Sequence, residues 1–206
     1  NEAKMLDAIL VACTEHSIAP PSILSARTAV SSGNALNVGV AAGILSIGEH
    51  HGGAVEQSAK VLQENIGKSA DDVVKKMKEE GRRIPGFGHK IYTTDPRTVQ
   101  LFALAEKYGI KGKHCRFAEE IESSLERLSG KKLCINIDGA MAAIMSDMGM
   151  DWRLGKGLFT IGRAVGITAH TFEEISREKP YRRLEENEIE YDGPPKRELP
   201  QTFRRK

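Results

Sequence analysis

Segments with the helical spacing of apolar residues follow one another along almost the whole chain. In the first of them, apolar side chains recur at Met5, Ile9 and Ala12, three or four residues apart. A strand that faces a core would instead alternate apolar and polar residues, and no segment of any length does so. The pattern therefore predicts an all-α protein of about eight to ten helices, with a short β-like run just before Asp138.

Proline and glycine residues interrupt the helical segments and predict loops at 15–21, 48–53, 81–95 and 178–206. The segments 34–48 and 158–178 have little polar surface, so both are expected to be largely buried helices. Glycines in the first of these would let a neighbouring helix come close. Ser69, three residues before Asp72, predicts a capping box at the start of a helix.

Composition limits the class of protein. With 206 residues, the chain can form one large domain or two unequal lobes with a proper core. Its 40% apolar and 28% charged residues are typical of a soluble globular protein. A net charge of +2 and only 5% aromatic residues argue against a nucleic-acid partner.

Cysteine usage and hydropathy indicate the compartment. The three cysteines are scattered and form no Cys-X-X-Cys pair, so neither a zinc site nor a disulfide framework is indicated. A reducing cytoplasm is therefore expected. No apolar run approaches the roughly 20 residues of a membrane span, and no signal peptide is visible, so no membrane partner is expected.

Several ionisable residues lie in the interruptions or in otherwise apolar segments, namely His16, His50, His51, His89, Arg97, Asp138 and Arg163. Each has an ordinary structural explanation: a histidine can belong to a solvated turn, Asp138 can cap a helix, and Arg163 can pair with a core carboxylate. The glycines near His89 can serve turn geometry alone. The joint occurrence of these residues nevertheless favours a functional site.

Four motifs, in a consistent order, carry a family resemblance: "EHSIAPPSILSART" at 15–28, "HHGGAVEQ" at 50–57, "IPGFGHKIYTTDPR" at 84–97 and "NIDG" at 136–139. They resemble signatures of the citrate synthase superfamily and extend over most of the chain. On these motifs the chain is identified as a member of that superfamily.

Within the superfamily, the details resemble the citryl-CoA lyase branch, which includes the C-terminal module of ATP-citrate lyase. Gly139 directly after Asp138 and "LSIGEHHGGA" at 45–54 resemble that branch. Citrate synthases usually show Gly-Pro-Leu-His-Gly in the second of these places. "APP" at 19–21 and the ending "YRRLEENEIEY" at 181–191 also depart from the citrate synthase pattern.

The resemblance implies an all-α, citrate synthase-like fold of two lobes. Residues 1–53 and 161–206 would form the large helical lobe, and 54–160 the small CoA-binding lobe that closes over the substrate. Because Asn1 lies inside an amphipathic segment, an N-terminal part of the large lobe is expected to be missing.

The resemblance also implies catalytic roles. Asp138 matches the carboxylate that takes a proton from the acetyl methyl in condensation, or returns it in cleavage. His51 occupies the place of the group that stabilises the enolate oxygen in citrate synthases. ATP-citrate lyase has no histidine there, so His51 is either that donor, which we favour, or a lining residue. His89 would polarise the ketone carbonyl, and His16 would contact the oxaloacetate or citryl part.

Arginines matching the family pattern would bind the substrate carboxylates, since a guanidinium holds a carboxylate with two hydrogen bonds. They are Arg97, Arg163 and Arg182, the last reaching into the neighbouring subunit's site. The expected assembly is therefore a homodimer, with a tetramer left open. The CoA moiety would bind along the loop, at Arg83, Ile84, Pro85, Gly86, Phe87, Gly88 and Lys90. Solvation is an equal alternative for the charges of Arg82, Arg83 and Lys90.

The reaction implied is cleavage of (3S)-citryl-CoA to acetyl-CoA and oxaloacetate without a metal. No permanently bound cofactor is expected, and coenzyme A enters as part of the substrate and product. One alternative is a citrate synthase or 2-methylcitrate synthase, which adds thioester hydrolysis to the condensation. The other is a non-catalytic subunit that keeps the fold.

Overall fold

The computed structural model describes residues 1–89, 91–183 and 185–198, and this part of the chain is almost entirely helical. It contains nine α-helices: α1 Glu2–Ala12, α2 Pro21–Ser31, α3 Leu36–Leu45, α4 Ala54–Asn65, α5 Ala70–Glu79, α6 Pro96–Lys107, α7 Lys113–Ser129, α8 Ile137–Asp147 and α9 Gly155–Arg177. Short 3-10 turns occupy Trp152–Leu154 and Glu186–Glu188. The all-α prediction is confirmed. The β-like run contributes an isolated bridge between Phe87 and Ile135 rather than a strand.

Helix starts follow local chemistry. Pro20 is the N-cap of α2 and Pro21 its first residue, where a missing N–H costs no helical hydrogen bond. Asp95 caps α6 by accepting from the backbone N–H of Arg97. Ser69 is the N-cap of α5, but its side chain makes no capping bond, so the predicted capping box is wrong. Acidic residues in the first turn of α5 complement the helix dipole there.

Helix α3 is half exposed, so the expectation that it is buried is wrong. Its glycine face packs tightly: a Cβ on Gly39 would lie 2.7 Å from Thr171 Cγ2, and one on Gly43 the same distance from Ile167 Cγ2. The opposite face is open, with Leu45 85% exposed. The predicted close approach of a neighbouring helix is therefore present on one side only.

Helix α9 is the longest, at 23 residues, and it is also only partly buried. Four of its apolar side chains are 49–62% exposed at helical spacing: Ile161, Val165, Phe172 and Ile175. The prediction of a largely buried helix is therefore wrong for this face. Among the helices of the described residues, none is long and apolar enough to cross a membrane.

The core is built around α8, whose residues from Gly139 to Ser146 are all buried. Met141, Ile144 and Met145 are completely inaccessible, and burial of each stabilises the fold by about 1.5–3 kcal/mol. Helices α1, α4, α6 and α7 contribute to the same cluster. A smaller cluster joins α2 to α9 through Ile23, Ala26 and Ile167. The division into two lobes stays a prediction.

Candidate active site

One cavity of about 370 Å³ brings the loops and helix ends of the motifs together. The first residues of α8 form one wall, and α9 and the loops before α2, α4 and α6 supply the others. Its lining includes every catalytic and substrate-binding residue predicted from the sequence except Arg182: His16, His51, His89, Arg97, Asp138 and Arg163.

Asp138 lies at the start of α8, and its carboxylate has no partner among the described residues. The N-cap is Asn136, whose Oδ1 accepts from the backbone N–H groups of Asp138 at 3.0 Å and Gly139 at 3.2 Å. No hydrogen bond or ion pair joins the Asp138 carboxylate to any described residue. Burial raises the pKa of this carboxyl against the opposing charges of Arg97 and Arg163. Such a group is suited to proton transfer.

Asp95 is a fully buried carboxylate that orients Arg97. The Arg97 side chain donates to it from Nε at 3.0 Å and from Nη2 at 2.7 Å. Asp95 Oδ2 also accepts from the backbone N–H of Ile137 at 3.1 Å, which ties the same carboxylate to the start of α8. Burial alone would raise the pKa of Asp95, but the hydrogen bonds and charge of Arg97 outweigh it and lower that pKa.

His51 is held by a serine on a different helix. Its Nε2 lies 2.8 Å from Oγ of Ser22, which is completely buried at the start of α2. The Phe159 ring packs against the imidazole in a T-shaped arrangement, with the ring centroids 5.8 Å apart. Burial, aided by the charges of Arg163 and His16, lowers the pKa of His51. The ring is therefore neutral near pH 7. When the Ser22 hydroxyl donates to Nε2, the single N–H of the ring is on Nδ1 and can donate to a ligand.

The backbone sets the tautomer of His89. Its Nδ1 accepts hydrogen bonds from the N–H groups of Ile91 and Tyr92, both at 3.1 Å. Because Nδ1 is the acceptor, the proton of the neutral ring is on Nε2. His16 lies edge-on to His89, with the ring centroids 6.4 Å apart. Burial and the charges of Arg97, Arg163 and His89 lower the pKa of His16, against an opposing effect of Glu15.

Arg163 is a buried cation without a carboxylate partner among the described residues. Its Nε donates to the carbonyl oxygen of Cys13 at 2.9 Å, and its guanidinium lies 4.7 Å from the centre of the Phe159 ring. Burial lowers its pKa, but an arginine stays charged in proteins. The alternative of a core ion pair is therefore wrong, and the charge is available to an anionic ligand.

The 84–88 loop is joined to the start of α8 by glycines. The backbone N–H of Asn136 donates to Gly86 O at 3.0 Å, and Asn136 Nδ2 donates to Gly88 O at 2.9 Å. Gly86 has a φ of +85°, and a Cβ there would lie 2.7 Å from Gly139 Cα. A Cβ on Gly139 would overlap Gly86 O. The glycine that follows Asp138 is therefore required by the loop that packs against it.

A second cavity of about 720 Å³ borders the same loop and reaches His89. Of the residues predicted to bind CoA, it is lined by Arg83, Ile84, Phe87 and Gly88. Pro85 faces a separate groove of about 710 Å³ beside α4 and α5. Arg82 pairs with Glu80 at 3.0 Å on the surface. Lys90 lies outside the described residues.

Arg182 does not line the cavity of its own chain. Its Nε and Nη2 donate to the two carboxylate oxygens of Glu174 at 2.8 and 2.7 Å. Glu174 is 3% exposed and also accepts from Arg27 Nε at 2.7 Å. Within one subunit, this arginine therefore anchors the C-terminal segment to α9.

A family model described as "Citrate synthase, C-terminal domain" matches residues 1–184. The chain belongs to the citrate synthase family. Its fold is similar to the solved structure of citryl-CoA lyase from Hydrogenobacter thermophilus, with a TM-score of 0.93 and 50% identity over 98% of this chain and 80% of that one. It is also similar to ATP citrate lyase from Methanothrix soehngenii, solved with citrate and coenzyme A, with a TM-score of 0.82 and 26% identity over 93% of this chain and 34% of that one.

Curated relatives include citrate synthases and ATP-citrate synthase beta chains. The citrate synthase of Synechocystis is 34% identical over 87% of this chain and 47% of its own length. The ATP-citrate synthase beta chain protein 1 of Arabidopsis thaliana is 27% identical over 86% of this chain and 32% of its own length. The chain spans about a third of the length of the ATP-citrate synthase beta chains of Arabidopsis thaliana and rice.

Three supporting residues of this citrate synthase-family site were missed by the sequence reasoning. They are Asp95, Ser22 and Asn136, none of which was singled out as a site residue. The Asp-Pro-Arg spacing was a usable signal for Asp95, because a cap residue can bond the arginine two positions later. Nothing local signals the Ser22–His51 contact, since 29 residues separate the two.

Proposed function

We propose that the protein is a citryl-CoA lyase that cleaves (3S)-citryl-CoA to acetyl-CoA and oxaloacetate. The observation that carries the proposal is the Asp138 carboxylate, which has no partner among the described residues and shares one cavity with four histidines and two arginines. The 50% identity to a citryl-CoA lyase over 98% of the chain supports the lyase over the synthase.

Asp138 is the proton donor to the acetyl carbon as the carbon–carbon bond of citryl-CoA breaks. A carboxyl with a raised pKa keeps its proton more readily, and in the reverse direction its anion is a stronger base. The bond cleavage places negative charge on the thioester oxygen, which becomes an enolate oxygen. A neutral His51 donates a hydrogen bond to this oxygen, and Ser22 holds its ring.

His89 acts at the other oxygen, the citryl hydroxyl that becomes the ketone of oxaloacetate. The hydroxyl proton passes to solvent water as the carbon–carbon bond breaks. The backbone bonds to Nδ1 of His89 leave its Nε2–H as a hydrogen-bond donor to the oxygen that becomes the ketone. Arg97 and Arg163 bind the carboxylates of the citryl group, and His16 adds a polar contact to the same part. The buried, unpaired charge of Arg163 is stabilised when a carboxylate arrives.

The CoA moiety lies in the 720 Å³ cavity that borders the 84–88 loop. Glycines allow the adenine to approach the loop backbone, and Arg83 is one of the cations that line this cavity and can bind the phosphates. The cavity reaches His89, so the thioester end of the ligand can enter the acid–base site. The reaction needs no metal and no permanently bound cofactor.

The functional assembly is a homodimer located in the cytoplasm. Exposed apolar side chains on α9 form a stripe, and α3 next to it exposes Val38 and Leu45. A stripe of this kind is typical of a protein interface. Arg182 is bound to Glu174 of its own subunit, so of the two adjacent arginines Arg183 is the one proposed to reach the partner subunit's cavity. Residues 54–160 close as a small lobe over the ligand. Light scattering tests the assembly, and a mass of four subunits would favour the tetramer.

The deciding experiment supplies citryl-CoA and, separately, acetyl-CoA with oxaloacetate, and follows free CoA. A lyase releases acetyl-CoA and oxaloacetate from the first substrate and forms no free CoA. A citrate synthase is the second candidate, favoured by the 34% identity to the Synechocystis enzyme. Net release of free CoA with citrate would establish the synthase and refute the lyase.

A further inference from the structure

The segment 13–15, directly before His16, runs along one face of α9, and each of its residues contacts that helix. Arg163 donates to the carbonyl oxygen of Cys13 at 2.9 Å. One turn later, Gly166 lies so close to the carbonyl oxygen of Thr14 that a Cβ would overlap that atom. These two contacts fix the backbone of the segment against the helix.

The third contact on this face is made by His170, four residues after Gly166. Its Nε2 lies 3.1 Å from Oε1 of Glu15, the residue directly before His16. Its Nδ1 lies 2.9 Å from Oε2 of Glu173, so the imidazole bridges two carboxylates. Carboxylates only accept, so Nδ1 donates a hydrogen bond to Glu173, and Nε2 makes a close polar contact with Glu15. The His170 side chain is only 13% exposed, which limits competition from water.

The orientation of His16 depends on these contacts of the preceding segment, because the His16 side chain makes few contacts of its own. No described residue makes a hydrogen bond to its side chain, and its ring contact with His89 is an edge at 6.4 Å. The next residue, Ser17, has a φ of +75°, a conformation that L-residues adopt at a cost and that the surroundings must enforce. The direction of the His16 ring is therefore set by the residues on either side of it.

We propose that His170 is a positioning residue that orients the substrate histidine His16 through the carboxylate of Glu15. The kinetic consequence rests on the function proposed above, whereas the structural consequence for His16 does not. His170 does not line the 370 Å³ cavity, so its effect on substrate binding is indirect. His170 belongs to the same helix as Arg163. Helix α9 therefore carries Arg163 of the site directly and positions His16 through His170.

The test compares wild type with His170→Ala, His170→Gln and Ser176→Ala. Ser176 is an exposed residue of the same helix, bonded to the carbonyl oxygens of Phe172 and Glu173 on α9, and is the matched control. We expect His170→Ala to raise KM for citryl-CoA about tenfold and to change kcat less than about threefold. The reason is that a misplaced His16 weakens substrate binding without removing a group that transfers a proton. His170→Gln, whose amide can still donate to Glu15, recovers most of the loss. The control keeps wild-type kinetics.

The imidazole signals of His16 in ¹H–¹³C NMR spectra are the second measurement, assigned by their loss in His16→Gln. We expect them to shift or broaden in His170→Ala, in a protein whose circular dichroism is unchanged, and to keep their position in Ser176→Ala. Unchanged His16 signals in His170→Ala would overturn the proposal whatever the kinetics. Shifted signals in a protein that does not cleave citryl-CoA would support the positioning and refute the proposed function.

Discussion

Replacing Asp95 by Asn tests how strongly one buried carboxylate supports both Arg97 and the start of α8. The amide keeps one acceptor oxygen and puts an NH₂ group where Oδ2 accepts from Arg97 Nη2 and Ile137 N. Breaking a buried ion pair costs about 3–5 kcal/mol, and we take about 3 kcal/mol because the arginine side chain is 26% exposed. For a chain of this length, the melting temperature should fall by about 6–12 °C. KM for citryl-CoA should rise about tenfold as Arg97 loses its orientation.

Asp151→Asn is the matched control for this variant. Asp151 caps the Trp152–Leu154 turn and accepts from Arg153 N at 2.9 Å and from Arg153 Nε and Nη2 at 2.8 Å, the same arrangement as Asp95 with Arg97. The side chain of Asp151 is 44% exposed and that of Asp95 is completely buried. Calorimetry should therefore show a melting temperature close to wild type for Asp151→Asn. Equal losses in the two variants would refute the assignment of the effect to burial.

Three further predictions concern the loop, the imidazole and acid stability. Gly139→Ala should weaken CoA binding about tenfold in titration calorimetry, because the added methyl group overlaps Gly86 O; unchanged affinity would contradict the glycine argument. Ser22→Ala should lower kcat about fivefold, the loss of one hydrogen bond to His51, and leave CoA affinity unaltered; equal losses in both would indicate a global defect. Burial would raise the pKa of Glu174, but the hydrogen bonds from Arg182 and Arg27 outweigh it and lower that pKa in the folded protein. The ionised Glu174 therefore stabilises the fold fully above the unfolded pKa of about 4.3, and this stabilisation is lost as the pH falls through the lower pKa of the folded state. The difference in melting temperature between wild type and Glu174→Gln should accordingly shrink below about pH 4.

The helical architecture and the loops of the site were predictable because their signals are local. Pro20 and Gly53 are the N-caps of α2 and α4, and prolines and glycines of this kind keep a helix from continuing through the loop before them, whatever the rest of the chain does. The same holds for Asp95 before Pro96 at the start of α6. Short-range rules of this kind place His16, His51 and His89 in loops, and the cavity brings these loops together.

The exposed faces of α3 and α9 were not predictable, because an apolar sequence does not show which of its faces another part of the same chain will cover. Both helices bury one side and expose the other within the single chain, as at Gly43 and Leu45. The supporting contacts of the site were also beyond local rules, since Asn136 and its partner Gly88 are 48 residues apart. The Ser69 capping box failed because a favourable spacing does not ensure that the side chains bond.

The central claim is that Asp138 transfers the proton to and from the acetyl carbon. A quenched time-course assay of citryl-CoA cleavage by Asp138→Asn tests it most directly. Asparagine has nearly the same shape but cannot exchange this proton, so acetyl-CoA formation should fall by about 10²–10⁴-fold. Binding of oxaloacetate and CoA should stay within a few-fold of wild type. Cleavage of citryl-CoA by this variant at the wild-type rate would contradict the account.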